Sequence, residues 1–423
     1  MNMKTDTQQY PSMERIREAQ HTLRGIAEQT PLQQNLRLSR KYGAEVFLKR
    51  EDLQPVRSYK IRGAYNKIHS LHREGKIRNG VVCASAGNHA QGVAFACSRL
   101  KIRGTVFMPV TTPKQKLEQV AMFGEQYIDI RLHGDTFDAA KAAATEFAGN
   151  HSAAFIHPFD DARIIEGQAT LALEILSQSD RKIDYLFVPV GGGGLLAGMV
   201  TVFSALSPET KIVSVEPKGA ASMKESLASG QNTKLEEIDS FVDGAAVQRV
   251  GELPFDICRE AVSHCMAVEE GKVCETLLEM YNREAMVLEP AGALSVAGLE
   301  SFHEDLRGKH AVCIISGSNN DITRMEEIKE RALLYKGLKH YFIVRFPQRP
   351  GALKEFVLNV LGDTDDITFF EYTKKNSREK SSAIVGIEVA EPSHFKILTA
   401  NMKKMGYFEF YLNHSPAVMN SMI

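Results

Sequence analysis

Three short segments of this 423-residue chain hold residue types suited to a single chemistry. Lys60 lies in Ser58-Tyr59-Lys60-Ile61-Arg62-Gly63-Ala64, and a lysine amine condenses with an aldehyde to form an imine. Gly191, Gly192, Gly193, Gly194 and Leu195 lead into an apolar run, and a glycine-rich turn at a helix start binds phosphate through backbone N–H groups. Ser85-Ala86-Gly87-Asn88-His89 is a second such turn, able to take a substrate carboxylate. A tethered aldehyde, a phosphate cradle and a carboxylate site imply pyridoxal phosphate working on an amino acid, with Lys60 as the anchor.

Taken singly, each segment has a plainer reading. Lys60 alone would be a solvated lysine. Ser85 to His89 would be a helix cap followed by a core or surface histidine, and Ser316 in Ser316-Gly317-Ser318-Asn319 another cap after a strand. The glycine run could be a hinge. It also satisfies the dinucleotide pattern G-x-G-x-x-A through Ala197, with Glu216 where a ribose-binding acid would lie. The dinucleotide reading leaves Lys60 and Ser85 to His89 without a role, and it puts the phosphate turn in mid-domain.

The elements that must carry these loops follow from the apolar pattern. Val81–Ala84, Thr105–Met108, Ile183–Val190, Lys211–Val215 and Ala311–Ile315 are short apolar runs that end in Gly, Ser or Pro and give way to helical patterns. Such runs predict parallel sheets covered on both faces, an α/β architecture with ligands beyond the C-terminal strand ends. Ser85, Gly191 and Ser316 each follow one of them. Leu186 to Ser207 is uncharged, but Pro189 and its glycines break it into a strand, a turn and a packed helix rather than a membrane span.

Composition narrows the partners. With 51 basic against 52 acidic residues and no long basic run, neither a nucleic-acid surface nor a membrane surface is expected. Six cysteines without a C-x-x-C pair, and a polar N-terminus, predict reduced thiols in a cytoplasmic protein with no zinc site.

The organisation changes near residues 326–339, a charged helical linker that divides residues 1–325 from residues 340–423. Beyond it, Tyr341–Phe346, Ile367–Tyr372, Ala383–Val389 and Phe408–Leu412 read as strands. Helical faces run from Ala352 to Leu361 and from Phe395 to Met405. The order is βαββαβ, the ferredoxin-like split.

From Thr30-Pro31-Leu32 to Asn320 the sequence resembles the fold-type-II pyridoxal phosphate enzymes, the tryptophan synthase β-like architecture, and within them the threonine dehydratases (threonine ammonia-lyases). Lys49-Arg50-Glu51-Asp52, the Lys60 segment, Ser85 to His89, the glycine run, Glu289-Pro290-Ala291-Gly292-Ala293 and Ser316 to Asn319 carry the resemblance, in order and at domain scale. It implies that Lys60 forms the imine and that Gly191 to Leu195 bind the cofactor phosphate. It also implies that Asn88 meets the cofactor's 3-hydroxyl, that Ser316 faces the pyridine nitrogen, and that Ser85, Gly87, Asn88 and His89 surround the substrate carboxylate. Lys60 would take the α-proton of L-threonine, and loss of the β-hydroxyl as water would lead to 2-oxobutanoate and ammonia. Ser85 would serve as an acid or base, as in the related serine racemases. Those racemases, with serine dehydratase-like enzymes, are the alternative within the fold. Some bind a divalent metal after the strand that ends here at Glu216, but Pro217 to Ser222 supplies no second acid, and no metal is expected.

Residues from about 340 onward, with Arg349-Pro350-Gly351-Ala352-Leu353 and Phe369-Phe370-Glu371-Tyr372, resemble the single ACT-like regulatory domain of the shorter biosynthetic threonine dehydratases. This implies feedback by isoleucine at the first step of its synthesis, opposition by valine, and a homotetramer or dimer. Tyr372 is the candidate effector contact, with a packing aromatic as the rival reading. An alternative of another class is an amino-acid-binding regulatory protein that acts through nucleic acid. The βαββαβ order allows it, but Ser382 to Val389 lacks the basic-aromatic RNA-binding signature.

Overall fold

The computed structural model describes residues 10–372 and 380–415. Its contacts divide the chain into two units, one of Met1–Glu270 with Met280–Asp321 and one of Gly271–Glu279 with Ile322–Ile423.

The first unit contains β1 (Leu32–Gln34), β2 (Glu45–Arg50), β3 (Val81–Ala84), β4 (Gly104–Met108), β5 (Ile128–Leu132), β6 (Ala154–Phe155), β7 (Tyr185–Pro189), β8 (Lys211–Pro217), β9 (His264–Val268) and β10 (His310–Ile315). One sheet has the order β1-β2-β10-β7-β8-β9, parallel apart from the antiparallel edge pair β1 and β2. The other has the order β5-β4-β3-β6 and is parallel throughout. Every residue of β3, β7 and β10 is buried, which is why these strands read as unbroken apolar runs rather than alternating ones.

The helix Lys60–Arg73 packs against helices Asn88–Leu100 and Ala162–Gln178, so its first turn lies in the interior. Arg62, on that turn, is 1% exposed and forms ion pairs with Glu51 at 2.7 Å and Glu174 at 2.6 Å. Lys49, fully buried on β2, donates to Glu174, Gln178 and the Thr30 carbonyl. Burial, the largest single influence, raises the Glu51 carboxyl, but the Arg62 guanidinium, the Lys49 ammonium and the Thr30 hydroxyl together outweigh it and hold the group below its ordinary range. Isolated buried charges would be costly, and pairing with further hydrogen bonds is the condition under which they persist.

The second unit adds helix Met325–Tyr335 and an antiparallel sheet of β11 (Lys339–Pro347), β12 (Asp366–Tyr372), β13 (Lys380–Glu388) and β14 (Phe408–Tyr411). The strand order β12-β13-β11-β14, with helices Ala352–Val360 and His394–Lys404, is the βαββαβ split. Phe342, Phe356, Val385, Leu398 and Met402 fill its core. Glu330 of the helix receives a hydrogen bond from the Tyr341 hydroxyl at 2.7 Å and lies 3.5 Å from the buried Lys339 ammonium. Among the described residues, no helix is long and apolar enough to cross a membrane.

Candidate active site

Lys60 begins its helix, and its Nζ donates to the Pro158 carbonyl at 3.0 Å. Desolvation lowers this amine to about 8, partly offset by the Glu289 carboxylate. A lysine so placed supplies neutral, nucleophilic amine at moderate pH, which an exposed lysine does not.

The glycine turn lies next to it through Phe159, the residue after Pro158. A Cβ at Gly192 would stand 2.2 Å from the Phe159 ring, and one at Gly194 would stand 3.0 Å from its Cβ. Gly193 adopts φ +87° as it caps helix Gly194–Leu206, a conformation that favours glycine. The turn thus has no room for side chains and opens a helix N-terminus, where the first backbone N–H groups lack intrahelical acceptors and suit a phosphate. Leu195 is buried in the apolar core, so only its backbone can face the turn.

The second turn also opens a helix. Ser85 follows β3, its Oγ accepts from the Gly87 N–H at 3.2 Å, and Asn88 starts helix Asn88–Leu100. His89 is buried, with Nε2 bonded to the Ile156 carbonyl at 2.9 Å. Burial and the nearby Lys60 ammonium push its imidazole down to about 3. Its ring is therefore neutral and committed, leaving its backbone N–H as the group able to meet a carboxylate. Ser316 is buried at the C-terminal end of β10, and its carbonyl accepts from the Tyr59 N–H at 3.2 Å, next to Lys60.

Glu289 and Asn319 also belong to this site, although neither stood among the candidate site residues. Glu289 is buried and accepts from Asn88 Nδ2 at 2.7 Å. Burial and Asp243 push its carboxyl up to about 7 against the Asn88 hydrogen bond. Asn319 Nδ2 donates to Asn88 Oδ1 at 2.6 Å. Both residues lay inside segments that resembled the family, and that was the available signal. Their meeting at Asn88, more than 200 positions away, was not visible.

Glu216 turns inward. Its two oxygens accept from the Met223 and Lys224 N–H groups at 2.8 and 2.7 Å, so it caps a helix and does not present itself to a ribose. Among the described residues no cluster of His, Cys, Asp and Glu could hold a metal ion. In the second unit, Tyr372 lies on edge strand β12, 40% exposed, with its ring against Phe346 and Phe370.

The first-unit residues fit pyridoxal phosphate. A neutral-capable amine suits its aldehyde, the side-chain-free helix start suits its phosphate, and Asn88 and the Ser316 hydroxyl are polar groups of the type its 3-oxygen and ring nitrogen require. A family profile described as pyridoxal-phosphate dependent enzyme matches residues 23–317, and one described as the C-terminal regulatory domain of threonine dehydratase matches residues 330–421. The biosynthetic L-threonine dehydratase IlvA of Halalkalibacterium halodurans is 50% identical over 405 residues, 96% of this chain and 97% of that protein. Threonine deaminase isoform 2 of Solanum lycopersicum, in its processed form, superposes with a TM-score of 0.71 at 37% identity, covering 78% of this chain and 97% of that one. Serine racemase from Dictyostelium discoideum superposes at 0.68 with 31% identity, covering 74% of this chain and 99% of that one. An anchored amine, a glycine cradle and a C-terminal regulatory fold thus occur together at domain scale, and the chain belongs to the pyridoxal-phosphate-dependent enzymes, within the family of biosynthetic threonine dehydratases.

Proposed function

We propose that this chain converts L-threonine to 2-oxobutanoate and ammonia by α,β-elimination, at the first step of isoleucine biosynthesis. The observation that carries this reading is the desolvated Lys60 amine beside the glycine turn, in a chain similar along nearly its whole length to biosynthetic threonine dehydratases. Pyridoxal phosphate, when bound, supplies the electron sink that makes the substrate's α-proton acidic.

The protein's own groups do the rest. The N–H groups of Asn88 and His89 at the helix start hold the substrate carboxylate, where the helix dipole favours an anion, and Gly87 and Ser85, whose N–H and Oγ are bonded to each other, border it. Lys60, neutral for much of the time near pH 8, takes the Cα proton at Nζ. Ser85, held at the mouth of the same turn, is the second acid–base candidate. Ser316 offers a hydroxyl to the ring nitrogen. An alcohol keeps that nitrogen largely unprotonated, which weakens the sink and favours loss of a β-leaving group over transamination. The β-hydroxyl leaves as water, which carries off a proton in balance with the one that Lys60 took from Cα, and the released enamine takes up one water to give the keto acid and ammonia.

The second unit is read as an isoleucine sensor, with valine opposing it and Tyr372 contributing to the effector site. A homo-oligomer, a tetramer or a dimer, in the cytoplasm completes the proposal. Formation of 2-oxo acid from L-threonine and from L-serine, each with and without isoleucine, tests it. Threonine turnover suppressed by isoleucine is expected. Pyruvate from serine alone, or serine epimerisation without keto acid, would favour the racemase-like alternative, and indifference to isoleucine would remove the sensor.

A further inference from the structure

We propose that Glu289 and Asn319 are positioning residues that fix which end of the Asn88 carboxamide faces the cofactor, so that an N–H rather than a carbonyl is presented to the cofactor's 3-oxygen. The inference rests on the assignment of Asn88 to that oxygen made above.

A carboxamide has two ends of nearly the same shape and opposite hydrogen-bonding sense, so a half-turn about its last torsion exchanges donor for acceptor. Asn88 cannot settle its own orientation, and its neighbours must. Two neighbours do so here, one a carboxylate and the other an amide whose own sense is fixed. At one end the Glu289 carboxylate, an acceptor when ionised, takes Asn88 Nδ2 at 2.7 Å. At the other, Asn319 Nδ2 donates to Asn88 Oδ1 at 2.6 Å and to the Val56 carbonyl at 2.9 Å. A peptide carbonyl only accepts, so Val56 fixes Asn319, and Asn319 in turn fixes Asn88.

The carboxylate is itself held in place. The Glu289 N–H donates to the Gly317 carbonyl at 3.3 Å, and a Cβ at position 317 would lie 2.3 Å from Glu289 Oε1. Glycine there lets the carboxylate approach the segment that carries Ser316 and Asn319. With one Nδ2 hydrogen engaged by Glu289, the second is left for a ligand oxygen. The flipped amide would set its oxygen against the carboxylate and its donors against the Asn319 amide, losing both bonds in a buried place. Above about pH 7, where burial and Asp243 set the Glu289 carboxyl, the group acts purely as an acceptor.

The test measures the dissociation constant of pyridoxal phosphate from the full-length protein at pH 8. The cofactor's own fluorescence is followed in a chain with no tryptophan. Glu289→Gln keeps the shape of the side chain but can donate as well as accept, and loss of one charge-assisted bond should weaken retention about tenfold. In the Asn88→Ala background the same substitution should change retention by less than about twofold, because the group it orients is gone. Asn319→Ala removes the donor without adding a charge and should likewise weaken retention far less in the Asn88→Ala background, which keeps the test alive if Glu289→Gln does not fold. Equal losses in both backgrounds, or no loss in either, overturn the proposal while leaving Asn88's own contact intact. An Asn88→Ala protein that retains cofactor as the unmodified chain does overturns the contact and the proposal together.

Discussion

At the scale of single residues, Lys60 makes the most direct claim. Its amine is lowered to about 8, so below that pH the neutral fraction should fall about tenfold per unit, as for any single proton equilibrium. The rate at which cofactor-free protein captures pyridoxal phosphate should therefore climb with pH and level off above about 8. A plateau reached only near the ordinary lysine value, followed by stopped-flow absorbance, would contradict the desolvated environment. Lys60→Ala should abolish the visible band of the bound cofactor and reduce dehydratase turnover by about a thousandfold or more. Lys60 was singled out because its type and the neighbouring loops suit a chemistry, and Asn88 and Ser316 were assigned roles only through the family resemblance. Glu289 was given no role, because an acid before a proline reads locally as an ordinary helix start, and only burial makes it unusual.

At the scale of elements, the two glycine-bearing helix starts and the buried ion network do different work. Gly192→Ala would drive a methyl into the Phe159 ring, and either the ring or the turn must give way. The expected result is cofactor retention weakened by about tenfold or more with modest loss of melting temperature, measured by dialysis and by thermal unfolding. The ion network places the first turn of the Lys60 helix. Arg62→Met should cost about 3–5 kcal/mol in denaturant unfolding, since Glu51 and Glu174 would lose their shared cation. Because Glu51 is held below its ordinary value, its contribution is present above the ordinary carboxylate range and is lost as pH falls through its folded-state value. Glu51→Gln should thus be less stable at neutral pH and show a shallower loss on acidification than the unmodified protein. Neither this helix nor its paired charges were anticipated: Lys49, Glu51 and Arg62 stood only within segments that carried the family resemblance, and nothing in the sequence marked Glu174.

At the scale of the whole molecule, the chain carries a catalytic-type unit and a regulatory-type unit with separate cores. The regulatory proposal requires isoleucine to bind two states of the protein unequally, with coupling of a typical size of about 5- to 150-fold in threonine affinity. Tyr372 stands exposed on an edge strand, consistent with a ligand-facing ring, although its packing on Phe346 is equally a core contact. Tyr372→Ala should raise the isoleucine concentration for half-inhibition about tenfold while the threonine saturation curve without effector stays the same. An unchanged isoleucine response would leave Tyr372 as a packing aromatic. The helix Met325–Tyr335 belongs by contacts to the second unit, together with Gly271–Glu279, a grouping that a linker drawn at residues 326–339 does not express.

Local physics was enough to mark the strands, since burial on both faces writes itself as unbroken apolar runs. It also singled out the loops after β3 and β7, which the structure places at helix starts. The βαββαβ tail followed from the same periodicities. What the chain's order could not supply was which distant groups meet. Pro158 faces Lys60, Phe159 fills the space that Gly192 leaves, and Glu216 turns to cap a helix instead of a ligand. The link from Glu289 through Asn88 to Asn319 is of the same kind. These choices depend on through-space desolvation and on hydrogen bonds between segments scores of residues apart, and those forces exist only once the sheets have brought the segments together.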